Sequence, residues 1–201
     1  MANARKISIP FLPKPNHNLP MQRAVFLDRD GTMIAEKNYL HRIEDVEIFP
    51  ATPAGLKKLC DAGYKLIIVS NQSGVGRGYF TMAEVDKVNG FMCGELAKSG
   101  VRIEKTYIAP EKPEAPSRGR KPSPQFLFDA RDEFDLDLSQ SFMVGDKTID
   151  LECGWNAGVK KSILVRTGYG SEVERDEVEK ISRAIIVDDL NKAADWILSQ
   201  K

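Results

Sequence analysis

The 201-residue chain lacks an excess of either charge: 29 basic residues meet 29 acidic ones, for a formal net charge of zero. That balance excludes a nucleic-acid binder working through bulk charge and a polybasic membrane contact. No apolar run approaches the roughly 20 residues of a membrane span. The first 20 residues carry Lys and Arg but no apolar stretch of signal-peptide length, so a cytoplasmic location is expected. Cysteine is scarce: Cys60, Cys93 and Cys153 are odd in number, far apart and without C-x-x-C spacing. They read as free, mostly buried thiols of a reducing compartment. Histidine is rarer still, and the isolated His17 and His41 read as surface or satisfied histidines rather than catalysts. Trp155 and Trp196 fall in helical segments and read as core. No Walker A sequence occurs, so kinase-like use of ATP is not expected. Gly74-Val75-Gly76-Arg77-Gly78 fails as a dinucleotide fingerprint, because the third glycine would fall at Tyr79 and the next helix opens only at Thr81.

What is present is an ordinary globular composition, 42% hydrophobic, sufficient for one core. Residues 1–20, with Pro10, Pro13, Pro15 and Pro20, read as an extended arm ahead of one domain over 21–201. Six strand-like runs follow: 24–28, 66–71, 105–109, 141–146, 161–167 and 184–187. Thr52-Pro53 predicts a helix with Thr at the N-cap and Gly63 as its stop. Thr81 and Glu84 form a capping box. Gly90 and Gly94 weaken that helix, and close packing on a sheet is expected to account for them. Ser123-Pro124 opens a third helix, Thr148 to Ala157 forms a fourth stopped by Gly158, and Asp189 to Ser199 the last. The charged stretch 172–180 reads as a solvated helix face. Alternating strands and helices predict an α/β fold with a doubly wound, mainly parallel sheet and no large cap domain.

The chemistry concentrates at strand ends. Ala24-Val25-Phe26-Leu27-Asp28 is a buried parallel strand, and Asp28 and Asp30 lie two residues apart, facing one side of an extended chain. Two like charges that close repel, and a divalent cation removes the cost; carboxylate oxygens suit Mg²⁺. Asp146, after the fourth run, can join Asp28 on the ion. Asp150, four residues on, is open to three readings: it fixes Lys147, holds a metal-bound water, or caps the helix. Ser70-Asn71-Gln72-Ser73-Gly74 offers a hydroxyl, an amide and backbone N–H groups to phosphate oxygens. Lys121 suits a transferring phosphoryl group as a point charge, and Arg120 a second anionic group through its planar fork.

In their order along the chain, Asp28-x-Asp30-Gly31-Thr32, Ser70-Asn71, Lys121 and Gly145-Asp146-Lys147-x-x-Asp150 resemble the haloacid dehalogenase (HAD) superfamily of phosphatases. With Arg77-Gly78-Tyr79-Phe80-Thr81 and Arg120-Lys121-Pro122, they are similar to its heptose bisphosphate and histidinol-phosphate branch. The resemblance covers roughly 23–170 and implies a Rossmann-like HAD fold. It also implies an Mg²⁺-dependent phosphatase that converts D-glycero-D-manno-heptose 1,7-bisphosphate to the 1-phosphate through an aspartyl-phosphate. It implies Asp28 as nucleophile, Asp30 as acid and base, and Ser70 and Lys121 on the phosphoryl group. Mg²⁺ would be held by Asp28, the Asp30 carbonyl and Asp146, and substrate by Asn71, Arg120, Lys147 and the loop from Glu36 to Tyr39. Alternatives are histidinol phosphate or another small metabolite as substrate, or an idle phosphosugar-binding protein. A small phosphorylated sugar is the expected partner, nucleic acid and membrane are not, and the chain is expected to be a monomer. Most members of that branch carry a Cys-x-His … Cys-x-Cys zinc loop before Arg-Lys-Pro. Here the positions read Ala109-Pro110-Glu111 and Ser117-Arg118-Gly119, so no zinc is expected. The prolines of that loop are expected to stiffen it instead.

Overall fold

A computed structural model describes residues 21–200; the arm expected at 1–20, with His17, lies outside them. Six strands form one wholly parallel sheet: β1 (Ala24–Leu27), β2 (Lys65–Asn71), β3 (Ile103–Ala109), β4 (Phe142–Gly145), β5 (Lys161–Val165) and β6 (Ile185–Val187). Their order is β3-β2-β1-β4-β5-β6. All six expected strands are present, with ends shifted by a residue or two.

The near-continuous apolar runs follow from burial on both faces. On one face Val25, Leu27, Leu66, Ile68, Val144 and Ile163 meet α1 (Thr52–Asp61), α3 (Met82–Ala97) and α7 (Leu190–Ser199). On the other, Phe26, Ile67, Val69 and Met143 meet α4 (Gln125–Phe134) and α5 (Thr148–Ala157). Two short helices, α2 (Ser73–Gly76) and α6 (Gly170–Asp176), cap the carboxyl edge of the sheet. The order reverses between β1 and β4, and at such a switch point the strand ends diverge and leave a crevice. Among the described residues no helix is long and apolar enough to cross a membrane.

Several local expectations need correction. Thr52 lies inside α1, whose N-cap is Ala51; its buried hydroxyl donates instead to the Met33 carbonyl, 3.0 Å away, which also accepts the Phe49 N–H. Gly63 does follow the helix at φ +81°. The Thr81–Glu84 capping box forms. A Cβ at Gly90 or Gly94 would meet nothing within 4 Å, so packing does not account for either glycine. The charged stretch is helical only to Asp176. Trp155 and Trp196 are half-buried, as are Cys60 and Cys93; Cys153 is buried, and all three thiols are free.

Candidate active site

The sheet ladder carries β1 one residue past its apolar run: the Asp28 N–H donates to Val144 O at 2.9 Å. Asp28 is thereby fixed beside the end of β4, where Asp146 follows. Asp28, Asp146 and Asp150 each offer a carboxylate oxygen, and these oxygens lie within 4.8 Å of one another. Lys121 reaches in from the loop before α4, its Nζ 2.5 Å from Asp28 Oδ1 and 2.6 Å from Asp150 Oδ1. All four side chains are buried.

Two of the three carboxylates share the Lys121 ammonium and Asp146 has no part of it, and the charges respond. Burial pushes the Asp28 carboxyl up, to about 6; Lys121 pulls it down, while Asp150 and Asp30 push it further up. Burial likewise pushes Asp146 up, to about 8, aided by Asp28 and Asp150. Lys121 moves up as well: burial opposes its charge, but Asp150 and Asp28 outweigh that. The cluster is one positive ion short of balance.

Two observations fit that ion. Asp146 Oδ2 accepts from the Tyr169 N–H at 2.9 Å, but the buried Oδ1 has no partner. An orphaned, buried carboxylate oxygen is costly unless something cationic meets it. The backbone also approaches Asp146 closely: Cβ atoms added at Gly31 and Gly168 would fall 2.1 and 2.3 Å from Oδ2. Both glycines have positive φ, +86° and +56°, which side-chain-bearing residues rarely adopt. An all-oxygen, carboxylate-rich donor set is the chemistry of Mg²⁺.

Asp30 does not put its carboxylate in the cluster. Its oxygens are taken by Arg29 Nε and Nη2, at 3.0 and 2.9 Å, and by Gln72 Nε2 at 2.8 Å. Gln72 also donates to Ser70 Oγ at 2.7 Å, and Ser70 lies buried beneath it. Asp150 joins the cluster in Asp30's stead. It also receives the Lys147 backbone N–H at 3.0 Å, capping α5, so it fixes Lys121 rather than the Lys147 side chain.

Above the cluster opens a cavity of about 260 Å³, lined by Asp28, Asp30, Asn71, Arg120, Lys121 and Lys147, with Glu36 and Tyr39 on one wall. Lys147 pairs with Glu36 at 3.3 Å and lies over the Tyr169 ring. Burial pulls its ammonium down, but Asp146, Asp28 and Glu36 together raise it. Asn71 grips the main chain of Lys121 twice, Oδ1 accepting from its N–H at 3.0 Å and Nδ2 donating to its carbonyl at 3.2 Å. Asn71 therefore orients the lysine loop as well as lining the cavity. Tyr39, at φ +69°, meets the Tyr79 ring edge to face at 4.8 Å.

The loop 110–122 closes the remaining side. Ser117 Oγ donates to Glu111 Oε2 at 2.7 Å and accepts from the Arg120 N–H at 3.1 Å; Arg120 Nη1 donates to the Glu111 carbonyl at 3.1 Å. Arg118 pairs with Asp129 on α4, and Gly76 donates its N–H to Pro110 O at 2.8 Å. Positions 111 and 117 thus form a hydrogen-bonded ring around Arg120.

All site residues expected from sequence, save the buried Ser70 and Asp146, line this one cavity, and those two lie directly beneath it. Sequence reasoning missed Gln72, Tyr169 and Gly168. Tyr169 and Gly168 follow β5, whose carboxyl end shares the edge with β1 and β4, so the strand-end rule that found Asp146 applies to them as well.

Comparison with known proteins gives the family. A family model for HAD-hydrolase-like proteins matches residues 119–193. A Haemophilus ducreyi D-glycero-beta-D-manno-heptose-1,7-bisphosphate 7-phosphatase is 36% identical over 174 residues, 83% of this chain and 96% of that protein. The corresponding Escherichia coli K12 enzyme is 33% identical over 88% of each chain. A Photorhabdus laumondii relative at 38% identity, over 73% of this chain and 84% of its own, is named for the alpha anomer. The solved D,D-heptose 1,7-bisphosphate phosphatase of B. bronchiseptica, complexed with magnesium and phosphate, superposes with TM-score 0.83 at 25% identity, covering 90% of this chain and 100% of that one.

Proposed function

Because the chain belongs to the HAD-like heptose-bisphosphate phosphatase family, we propose that it hydrolyses the 7-phosphate of D-glycero-D-manno-heptose 1,7-bisphosphate, leaving the 1-phosphate. The observation that carries the reading is the buried Asp28–Lys121–Asp150–Asp146 cluster at the floor of a cavity with a cationic rim. Asp28, Asp146 and the Asp30 carbonyl would hold Mg²⁺, which when bound balances the carboxylates and attracts a phosphate oxygen.

Asp28 is the nucleophile. Its carboxylate oxygen bonds to phosphorus, and the bond from phosphorus to the sugar oxygen breaks with its electron pair going to that oxygen. Asp30 delivers a proton there, releasing the sugar hydroxyl. Water then bonds to phosphorus and gives its proton to Asp30; the Asp28–phosphorus bond breaks, returning a carboxylate and inorganic phosphate. Lys121 faces the transferring group as a fixed charge. Ser70 supplies a hydroxyl hydrogen while its oxygen accepts from Gln72. Arg120 and Lys147 meet the second phosphate and the sugar hydroxyls, and Glu36, Tyr39 and Asn71 bound the pocket. The loop 110–122 holds Arg120 without zinc, and the enzyme acts as a monomer in the reducing cytoplasm, its three thiols unpaired.

Phosphate release from the heptose bisphosphate and from histidinol phosphate, compared as kcat/KM with Mg²⁺ present, tests the substrate. A preference for histidinol phosphate overturns the sugar assignment, and no release from either overturns the enzyme reading. One equivalent of tightly held zinc in the purified protein overturns the zinc-free loop.

A further inference from the structure

Among the described residues, Arg29 is one of the bulkiest fully buried side chains, and it is not apolar. A guanidinium hidden from water is costly unless its donors are matched, and a planar fork matches a carboxylate best. Here the match is specific. Nε and Nη2 face the two oxygens of Asp30, and Nη1 donates to Asn89 Oδ1 at 2.8 Å. Asn89 is a buried amide in the middle of α3, sixty residues along the chain. Gln72 completes the grip from the β2 side. The Asp30 side chain keeps 15% exposure and lines the cavity. The carboxylate that has to move a proton is therefore oriented from behind by a buried fork, and the fork by an amide in a different helix.

We propose that Arg29 and Asn89 are positioning residues for Asp30: Asn89 fixes the guanidinium, which sets where the carboxyl meets the leaving oxygen. This rests on the phosphatase reading. A purely architectural ion pair would give the same contacts, so the test has to read the proton transfer itself. In the first half-reaction Asp30 matters only when the departing oxygen needs a proton. An alkyl phosphate such as a sugar phosphate needs one; p-nitrophenyl phosphate, whose phenolate leaves unprotonated, does not. The ratio kcat/KM, which ends at formation of the phospho-enzyme, isolates that step.

With Mg²⁺ present, Asn89→Ala is expected to lower kcat/KM on the heptose bisphosphate about 10-fold or more and on p-nitrophenyl phosphate by less than about twofold. Asn89→Asp, which keeps an acceptor oxygen, is expected to restore the sugar phosphate rate. Arg29→Lys, which cannot fork, is expected to show the same selective loss, larger. Thermal melting with and without Mg²⁺ establishes that each variant folds and binds the ion; if Arg29→Lys does not fold, the Asn89 pair decides. Equal losses on both compounds, or no loss on either, overturn the proposal. Wild-type protein that releases phosphate from neither compound overturns the phosphatase reading, and the inference with it.

Discussion

At the floor of the cavity three buried carboxylates lie with their oxygens within 4.8 Å of one another, Asp28 and Asp146 at the ends of β1 and β4, and the buried Lys121 ammonium pairs with two of them, Asp28 and Asp150. At its rim Arg120 hangs on a proline-bearing loop, held by Ser117 and the Glu111 carbonyl and half-exposed to water. Both regions meet a phosphate in the proposed reaction. The floor works by unbalanced charge in a dry site, where each interaction is strong and each defect is severe. The rim works by orientation in a wet one, where a lost contact is partly replaced by solvent. Chemistry is thus expected to fail all at once with floor substitutions, and affinity to erode gradually with rim substitutions.

The largest expected effect is at the floor. Asp28→Asn is close to isosteric and removes only the nucleophilic charge, so turnover should fall by at least about 10³-fold while the fold persists. Phosphate release and a thermal melt check this together. Residual turnover within about tenfold of wild type would dissolve the contrast with the rim.

Next comes the ion. Chelation should abolish activity and Mg²⁺ restore it. The charge argument adds a signed pH dependence. With no ion bound, Asp28 and Asp146 hold protons in the folded state up to about 6 and about 8, against an ordinary carboxyl value of 3.8. Between those values the folded state binds more protons than the unfolded one, so stability falls as pH rises from about 4 to about 8. Saturating Mg²⁺ should flatten the slope and raise stability, by about 2.7 kcal/mol at 100-fold excess over Kd. In Asp146→Asn the slope should be shallower and the Mg²⁺ shift lost. A chelated wild type whose melting temperature rises across that window would contradict the unbalanced floor.

The two regions also differ in how far they could be read from sequence. The strand-end part of the floor was legible because one rule governs it: in a parallel sheet, polar residues ending apolar runs converge on one edge. Asp28, Asn71 and Asp146 each end such a run. Asp150 stayed ambiguous because an Asp at a helix start caps the helix whatever else it does, and here it does both. The fork of Arg29 was hidden because its partner Asn89 is set by the packing of α3 on the sheet, which no spacing encodes. Thr52 was misplaced by one residue because its side chain is buried with its hydroxyl turned to the Met33 carbonyl, a tertiary contact that spacing does not encode. The rim was opaque: the sequence showed missing cysteines and histidines, but not that Glu111 and Ser117 close a hydrogen-bonded ring.

At the rim, Arg120→Ala should raise KM for a bisphosphate about 10- to 100-fold and leave kcat within a few-fold. A charge-assisted hydrogen bond is worth roughly 1.5–3 kcal/mol, and this one is made with a group that does not react. A monophosphate lacking the second anion should show little change. A fall in kcat equal to the rise in KM would place Arg120 with the floor.

The smallest effect sharpens the comparison most. Ser117 touches no substrate in the proposed reaction; its hydroxyl only links the Glu111 carboxylate to the Arg120 N–H. Ser117→Ala removes one neutral and one charge-assisted hydrogen bond from a half-exposed loop, where water offers partial replacement. The cost should be roughly 0.5–1.5 kcal/mol, or about 2- to 10-fold in KM for the bisphosphate, with kcat unchanged. Ser117→Thr, which keeps the hydroxyl, should restore it. Because Arg120 keeps its own bond to the Glu111 carbonyl, the loss has to stay below that of Arg120→Ala. A Ser117→Ala loss as large as that of Arg120→Ala would mean that the rim is as tightly coupled as the floor, and that the two halves of the cavity are one unit.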